Sequence, residues 1–262
     1  MTQFPQCAFC LKNDSPLHKE EVFAKWIGRQ FSAMQWTGFD ATTGEVRTSS
    51  QSREIVGLIC QDKICQKCNN EWMSVIENDV KPILKSLMDT TRNTPLTTSD
   101  QRRLAKWLIK TVCVLELALR DAEALHFSPD DRNKISKGLM PDSMSMYVAQ
   151  YAGSLKDIFA MHGDLEPDES KLENEHKYLA ATHGYVSTLI IKHVALQIFS
   201  VSGTSGLPKK LDYAIAPFWQ NLALKVWPTS RKPIPWPPPI VLGDATLKAF
   251  NERWFTATPM LL

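Results

Sequence analysis

Two short cysteine pairs constrain this chain more than any other feature. Cys7 and Cys10 stand in "CAFC", and Cys65 and Cys68 stand in "CQKCNNEW". A CxxC turn holds two thiolates one ligand edge apart, so two such turns complete a tetrahedral site for a soft divalent ion. Zn²⁺ is the expected ion, because four thiolates satisfy it and leave no open position. A site closed in this way is structural: it staples a fold and performs no chemistry itself. The pairs stand further apart than in a compact zinc ribbon, so about fifty residues must loop out between them. The alternative is four independent buried cysteines or a redox pair. Paired CxxC in a chain with only six cysteines fits metal better. Cys60 and Cys113 are left over and read as buried thiols, although Cys60 competes as a ligand if the second turn is "CQDKIC".

The 262 residues suffice for one large domain or two modest ones. A hydrophobic fraction of 44% with 22% charged residues belongs to an ordinary globular protein and not to a membrane or disordered chain. The opening "MTQFPQCAFC" has no charged n-region followed by an apolar stretch, so no signal peptide is expected. The longest apolar segment, Val186 to Val201, is broken by Lys192, His193 and Gln197. No membrane partner and a cytoplasmic location are therefore the expectation. A net charge of +2 argues against a large non-specific nucleic-acid footprint but leaves room for a local groove.

Periodicity divides the chain. "LHKEEVFAKWIGRQF" reads as a helix with Val22, Phe23, Trp26, Ile27 and Phe31 on one face. A polar stretch follows with a hairpin tip at Thr43-Gly44, then "REIVGLIC" as a short buried strand. From Asn69 the apolar stripe Trp72, Val75, Ile76, Val80, Ile83, Leu84 and Leu87 predicts a helix that Pro82 should kink or restart. A cysteine turn running straight into a helix is the treble-clef arrangement. "DTTRNTPLTTSD" marks a boundary, separating a module over 1–90 from a domain over 99–262. A long helix is expected from Asp100 to His126, and another after Ser128 as N-cap with Pro129 at its first position. "SMYVAQYAG", "KYLAATHG", "YVSTLIIKHVALQIFSV" and "QNLALKVWP" predict an antiparallel sheet of about four strands, with "THG" as a hairpin turn. "HGDLEPDESKLENEH" reads as a solvated loop and "WPTSRKPIPWPPPIVLGD" as an extended strap over the sheet. "DATLKAFNERW" reads as a terminal helix. The class is α+β: a four-cysteine module, then helices and an antiparallel sheet.

"CAFC", "LHKEEVFAKWI" and "CQKCNNEWMSVIE" together resemble the HNH endonuclease-like proteins. These combine a CxxC turn, a Glu-His pair opening an apolar helix, and a second turn followed at once by Asn and a helix. The tail "KVWPTS" to "LGDATLKAF" also looks like their C-terminal extension. The resemblance covers about ninety residues well. It implies a ββα-metal module and hydrolysis of DNA phosphodiesters, in a phage-defence or mobile-element setting. It also implies a second ion, Mg²⁺ or Mn²⁺, to stabilise the leaving oxygen while a His activates water. Position by position, Asn69 matches the helix-start ligand and Glu20 the acidic member of the pair, but the base position is Glu21.

A glutamate is a weaker base than a histidine, and beside a cation its proton affinity falls further. Glu21 can serve as metal ligand or poor base, or His18, three residues earlier, can supply the imidazole. The remaining alternative is a silent module that binds nucleic acid, DNA before RNA, or a protein partner. Each residue has a plainer reading: Glu20 and Glu21 suit a helix start, and Asn69 suits an N-cap. Lys209, Lys210, Lys225, Arg231 and Lys232 beside Trp219, Trp227 and Trp236 offer a stacking groove or a solvated rim over packed tryptophans.

Overall fold

A computed structural model of the chain describes residues 4–30, 34–40, 44, 46–51, 58–91, 93–120, 125–141, 144–155, 157–165, 182–203, 211–213, 221–252 and 259–261. In its first half the elements are β1 (Leu17–Glu21), α1 (Lys25–Gly28), β2 (Met34–Asp40), β3 (Val46–Gln51), β4 (Ile59–Cys65), α2 (Gln66–Cys68), a π turn (Asn69–Met73), α3 (Ser74–Leu87) and α4 (Thr98–Leu119). The second half holds α5 (Pro129–Ser136), β5 (Met144–Gln150), β6 (Ile158–Leu165), β7 (Thr182–Ile191), β8 (Val194–Gly203), β9 (Leu211–Tyr213), β10 (Ala223–Trp227), α6 (Asp244–Glu252) and β11 (Pro259–Leu261). The chain is mixed α and β, and it forms two interleaved compact units. One takes Met1–Trp36, Ser49–Lys85 and Arg103–Pro141; the other takes Thr37–Thr48, Ser86–Arg102 and Asp142–Leu262.

In the first unit β1 and β4 pair antiparallel, Leu17 opposite Cys65 and Glu20 opposite Cys60. The expected helix from Leu17 therefore gives way to a strand, and only Lys25–Gly28 is helical. Pairing across a sheet outweighs the weak helix preference of a short charged segment. Val22, Phe23 and Ile27 of the apolar stripe are still buried at 0% exposure, Trp26 is half-buried, and Phe31 lies outside the described residues. The helical run after the second cysteine turn forms as expected, although Val75 of its apolar stripe is exposed. It passes through Pro82 without ending, because Pro82 and Asn78, the residue whose carbonyl loses its donor, both face solvent.

α4 is buried on nearly every side between Trp107 and Leu117, which marks it as the core helix. α5 begins as its sequence predicts: the Ser128 hydroxyl accepts from the Asp131 N–H, the Asp131 carboxylate accepts from the Ser128 N–H, and Pro129 fills the first helical position.

The second unit is built on a seven-stranded sheet in the order β10-β5-β8-β7-β6-β2-β3. Three differences from expectation stand out. "THG" lies inside β7, Gly184 opposite Val201, and the tight turn falls instead at Lys192-His193, where Ile191 pairs with Val194 and Lys192 takes φ +55. His193 is thus an exposed turn residue and not a strand residue. "HGDL" belongs to β6, which pairs along its length with β7. The sheet also recruits β2 and β3 from the first third of the chain. Gly44 between them takes φ +75, while Thr43 and most of "REIVGLIC" lie outside the described residues.

The proline-rich segment is tied down by a buried glutamine. Gln101 Nε2 donates to the carbonyls of Leu96 (3.1 Å) and Lys232 (3.2 Å), and its Oε1 accepts from the Ser230 N–H at 2.7 Å. All its polar atoms are satisfied, as full burial requires. α6 packs Leu247 and Phe250 into the core with Tyr147, Tyr151, Phe199 and Leu242. At its start the Asp244 carboxylate accepts from the Tyr151 hydroxyl and from the Ser154 N–H (2.9 Å). Those bonds hold the Asp244 carboxyl below its ordinary range. A Cβ on Gly153 would fall onto both the carboxylate and the hydroxyl. Gly153→Ala is therefore expected to destabilise the protein by ~1–3 kcal/mol, read as a lower midpoint in urea unfolding.

Candidate metal centre

The first cysteine turn is a closed loop. The Cys7 N–H donates to the Lys12 carbonyl (2.9 Å), the Leu11 N–H to the Cys7 carbonyl (3.1 Å), and Leu11 itself takes φ +58. The Ala8 N–H donates to the Lys63 carbonyl at 2.8 Å, tying this turn to β4. β4 then ends on Cys65, whose sulfur caps the helical run by accepting from the Cys68 N–H at 3.4 Å. The cap is thus Cys65, and Asn69 already has helical angles (φ −61, ψ −52).

These contacts bring the sulfurs of Cys7, Cys10, Cys65 and Cys68 within 4.8 Å of one another. A tetrahedral ion with metal–sulfur bonds of ~2.3 Å needs sulfur–sulfur edges of about 3.8 Å. Cys7 to Cys68 measures 3.9 Å and Cys10 to Cys65 measures 3.7 Å. The four cysteines could hold a metal ion such as zinc. Cys60 is not among them: it is fully buried, and burial pushes its thiol up to about 11. Cys113 is likewise buried, with its thiol pushed up by desolvation.

The hydrogen bond shared with Cys68 pulls Cys7 down to about 4 and pushes Cys68 up, while burial raises Cys65 to about 11. The shared hydrogen bond thus lowers one thiol at the expense of the other. Backbone donors already aim at the Cys7 sulfur, from the Cys65 N–H at 3.3 Å and the Phe9 N–H at 3.5 Å. The Trp72 indole lies beside Cys68, favouring its thiolate, and stands edge-on to Phe9 with ring centroids 5.4 Å apart.

α5, far along the chain, grips the same turn. Arg132 Nε donates to the Ala8 carbonyl at 3.0 Å, and Asn133 Nδ2 reaches the Cys10 carbonyl at 3.4 Å. No sequence signal marked these two residues, because neither lies near a cysteine in the chain.

The residues implied by the resemblance are placed as follows. Glu20 is buried beside Lys110, its Oε1 3.8 Å from the Lys110 Nζ. That nitrogen lies 2.7 Å from Glu77 Oε1, which also accepts from Trp107 Nε1 at 3.0 Å. Glu77 Oε2 is buried with no hydrogen-bond partner. Glu21, half-buried, pairs with the exposed Lys25 at 3.7 Å, and His18 is exposed across from Ile64, before a bulge in β1. Asn69 is half-buried at the start of the π turn, and its carbonyl accepts from the Ser74 N–H. Among the described residues no hydrogen bond or ion pair joins Glu20 or Glu21 to Asn69.

Of the proposed stacking groove, Lys209, Lys210 and Trp219 lie outside the described residues, while Trp236 is buried and Trp227 half-buried. No helix is long and apolar enough to cross a membrane among the described residues. No family model, curated protein or solved structure matches the chain.

Burial is the main cause raising the Glu20 carboxyl above its ordinary 4.5; Lys110 opposes it, and Glu77 and Glu21 add to it. The folded chain thus holds this proton to higher pH than the unfolded one. The associated stability is complete below 4.5 and is lost as pH rises through the folded value. Glu20→Gln should remove that loss, so its stability relative to the parent should grow with pH in denaturant titrations. Lys110→Met should instead cost ~3–5 kcal/mol at neutral pH, because it strands buried carboxylates.

Proposed function

We propose that the first unit is a zinc-stapled, HNH-like module that has lost its catalytic role and serves to bind nucleic acid. The tetrathiolate supplies a closed structural Zn²⁺ site that fixes β4, the second cysteine turn and the start of the helix. The treble-clef character of this reading rests on the turn-into-helix arrangement and on the resemblance of the two motifs.

One observation carries the silent reading: Lys110 supplies the positive charge that a divalent ion would supply beside Glu20. A carboxylate already paired with a buried ammonium, with burial raising its proton affinity, is a poor ligand for Mg²⁺ or Mn²⁺. Glu21, in the base position, pairs with Lys25 at 3.7 Å. His18 is exposed opposite Ile64, and among the described residues no hydrogen bond orients it as a base.

Elemental analysis of the purified chain should find one zinc per chain, lost in Cys68→Ser together with the fold of the first unit. Supercoiled plasmid should stay intact with Mg²⁺, Mn²⁺ or no added metal, while a gel-shift assay should register binding. Metal-dependent nicking that disappears in Asn69→Ala would overturn the silent reading in favour of an active nuclease.

A further inference from the structure

The Arg132 guanidinium is a buried cation whose hydrogen bonds, among the described residues, go to backbone carbonyls. The residue is 7% exposed, and among the described residues no carboxylate pairs with it. An unpaired guanidinium in the interior is costly and cannot shed its proton to escape the cost. Its donors go to two backbone carbonyls, Ala8 through Nε at 3.0 Å and Phe127 through Nη1. The Ala8 carbonyl belongs to the same peptide group as the Phe9 N–H, and that N–H points at the Cys7 sulfur, 3.5 Å away. A planar trans peptide directs its C=O and N–H to opposite sides, so guanidinium, peptide and sulfur form a relay. A cation on the oxygen end polarises the peptide and strengthens the donor at the other end.

We propose that Arg132 is a positioning residue for the metal centre, which through the Ala8–Phe9 peptide strengthens the N–H···S bond on Cys7 and so favours the metal-loaded tetrathiolate. Four thiolates around a divalent ion carry a net charge of minus two. That anion complements the positive charge of Arg132 across the Ala8–Phe9 peptide. Asn133 supports the same turn from the next position of α5: the Cys10 carbonyl it reaches shares a peptide with the Leu11 N–H, which donates to the Cys7 carbonyl. The inference rests on the zinc reading of the four cysteines.

The test uses the full chain loaded with Zn²⁺, titrated against a chromophoric chelator, with a parallel Co²⁺-loaded sample read by its sulfur-to-cobalt absorption. Arg132→Met should weaken zinc binding ~10–100-fold and shift the cobalt absorption. Arg132→Lys should recover part of the loss. Ser128→Ala, which loosens the start of α5 without touching the guanidinium, should leave affinity and absorption near the parent's. Parent-like binding in Arg132→Met, or an equal loss in Ser128→Ala, would overturn the proposal and reduce α5 to a buttress. If Arg132→Met does not fold, Arg132→Lys against Ser128→Ala decides by the same criterion. A parent chain that holds neither ion would overturn the zinc reading and this inference together, whereas a parent that holds zinc with Arg132 variants unchanged would overturn the inference alone.

Discussion

The first unit depends on four sulfur atoms crowded within 4.8 Å. Four thiolates crowded in this way repel one another unless positive charge is brought in, and the hydrogen bond that Cys7 and Cys68 share moves their thiols in opposite directions. The surrounding backbone is arranged to support thiolates. N–H groups from Phe9 and Cys65 aim at Cys7, and Cys68 caps onto Cys65. The bond from Ala8 to Lys63 makes the two turns one object, although more than fifty residues lie between them in the chain.

A second charged centre, lying on α4, has the opposite character. Lys110 is almost wholly buried in a helix surrounded by apolar side chains, and its compensation comes from Glu77 and, at longer range, Glu20. Desolvating three ionisable groups is expensive, and one carboxylate oxygen is left without a partner. Such an arrangement makes the packing of β1, α3 and α4 specific more than it makes it strong. It also changes what Glu20 can do, since a carboxylate held by an internal ammonium is a structural group first.

The second unit solves a different problem, keeping a broad sheet and a proline-rich strap in register. Proline cannot donate to a ladder, so the strap needs other donors. Gln101 anchors it through Ser230 and Lys232, and isolated bridges from Leu96 to Ile234 and from Tyr151 to Leu242 hold it further along. The Asp244–Tyr151–Ser154 knot then fixes the start of α6, at a place where only glycine fits at position 153.

The sequence by itself determined the features that depend on near neighbours. The two CxxC turns, the Ser128–Pro129 helix start, the apolar run of α4, the strands β5 and β10 and the terminal helix were all legible, because spacing and capping chemistry are local. Tertiary structure alone decided the rest. Leu17–Glu21 became a strand because β4 lay ready to pair with it, and "THG" entered β7 because the turn at Lys192-His193 set a longer hairpin. Glu20 met Lys110, and Arg132 met Ala8, across 124 positions in the second case. Contacts of that kind leave no periodicity, spacing or motif behind, since the fold brings the partners together only after each local element has formed.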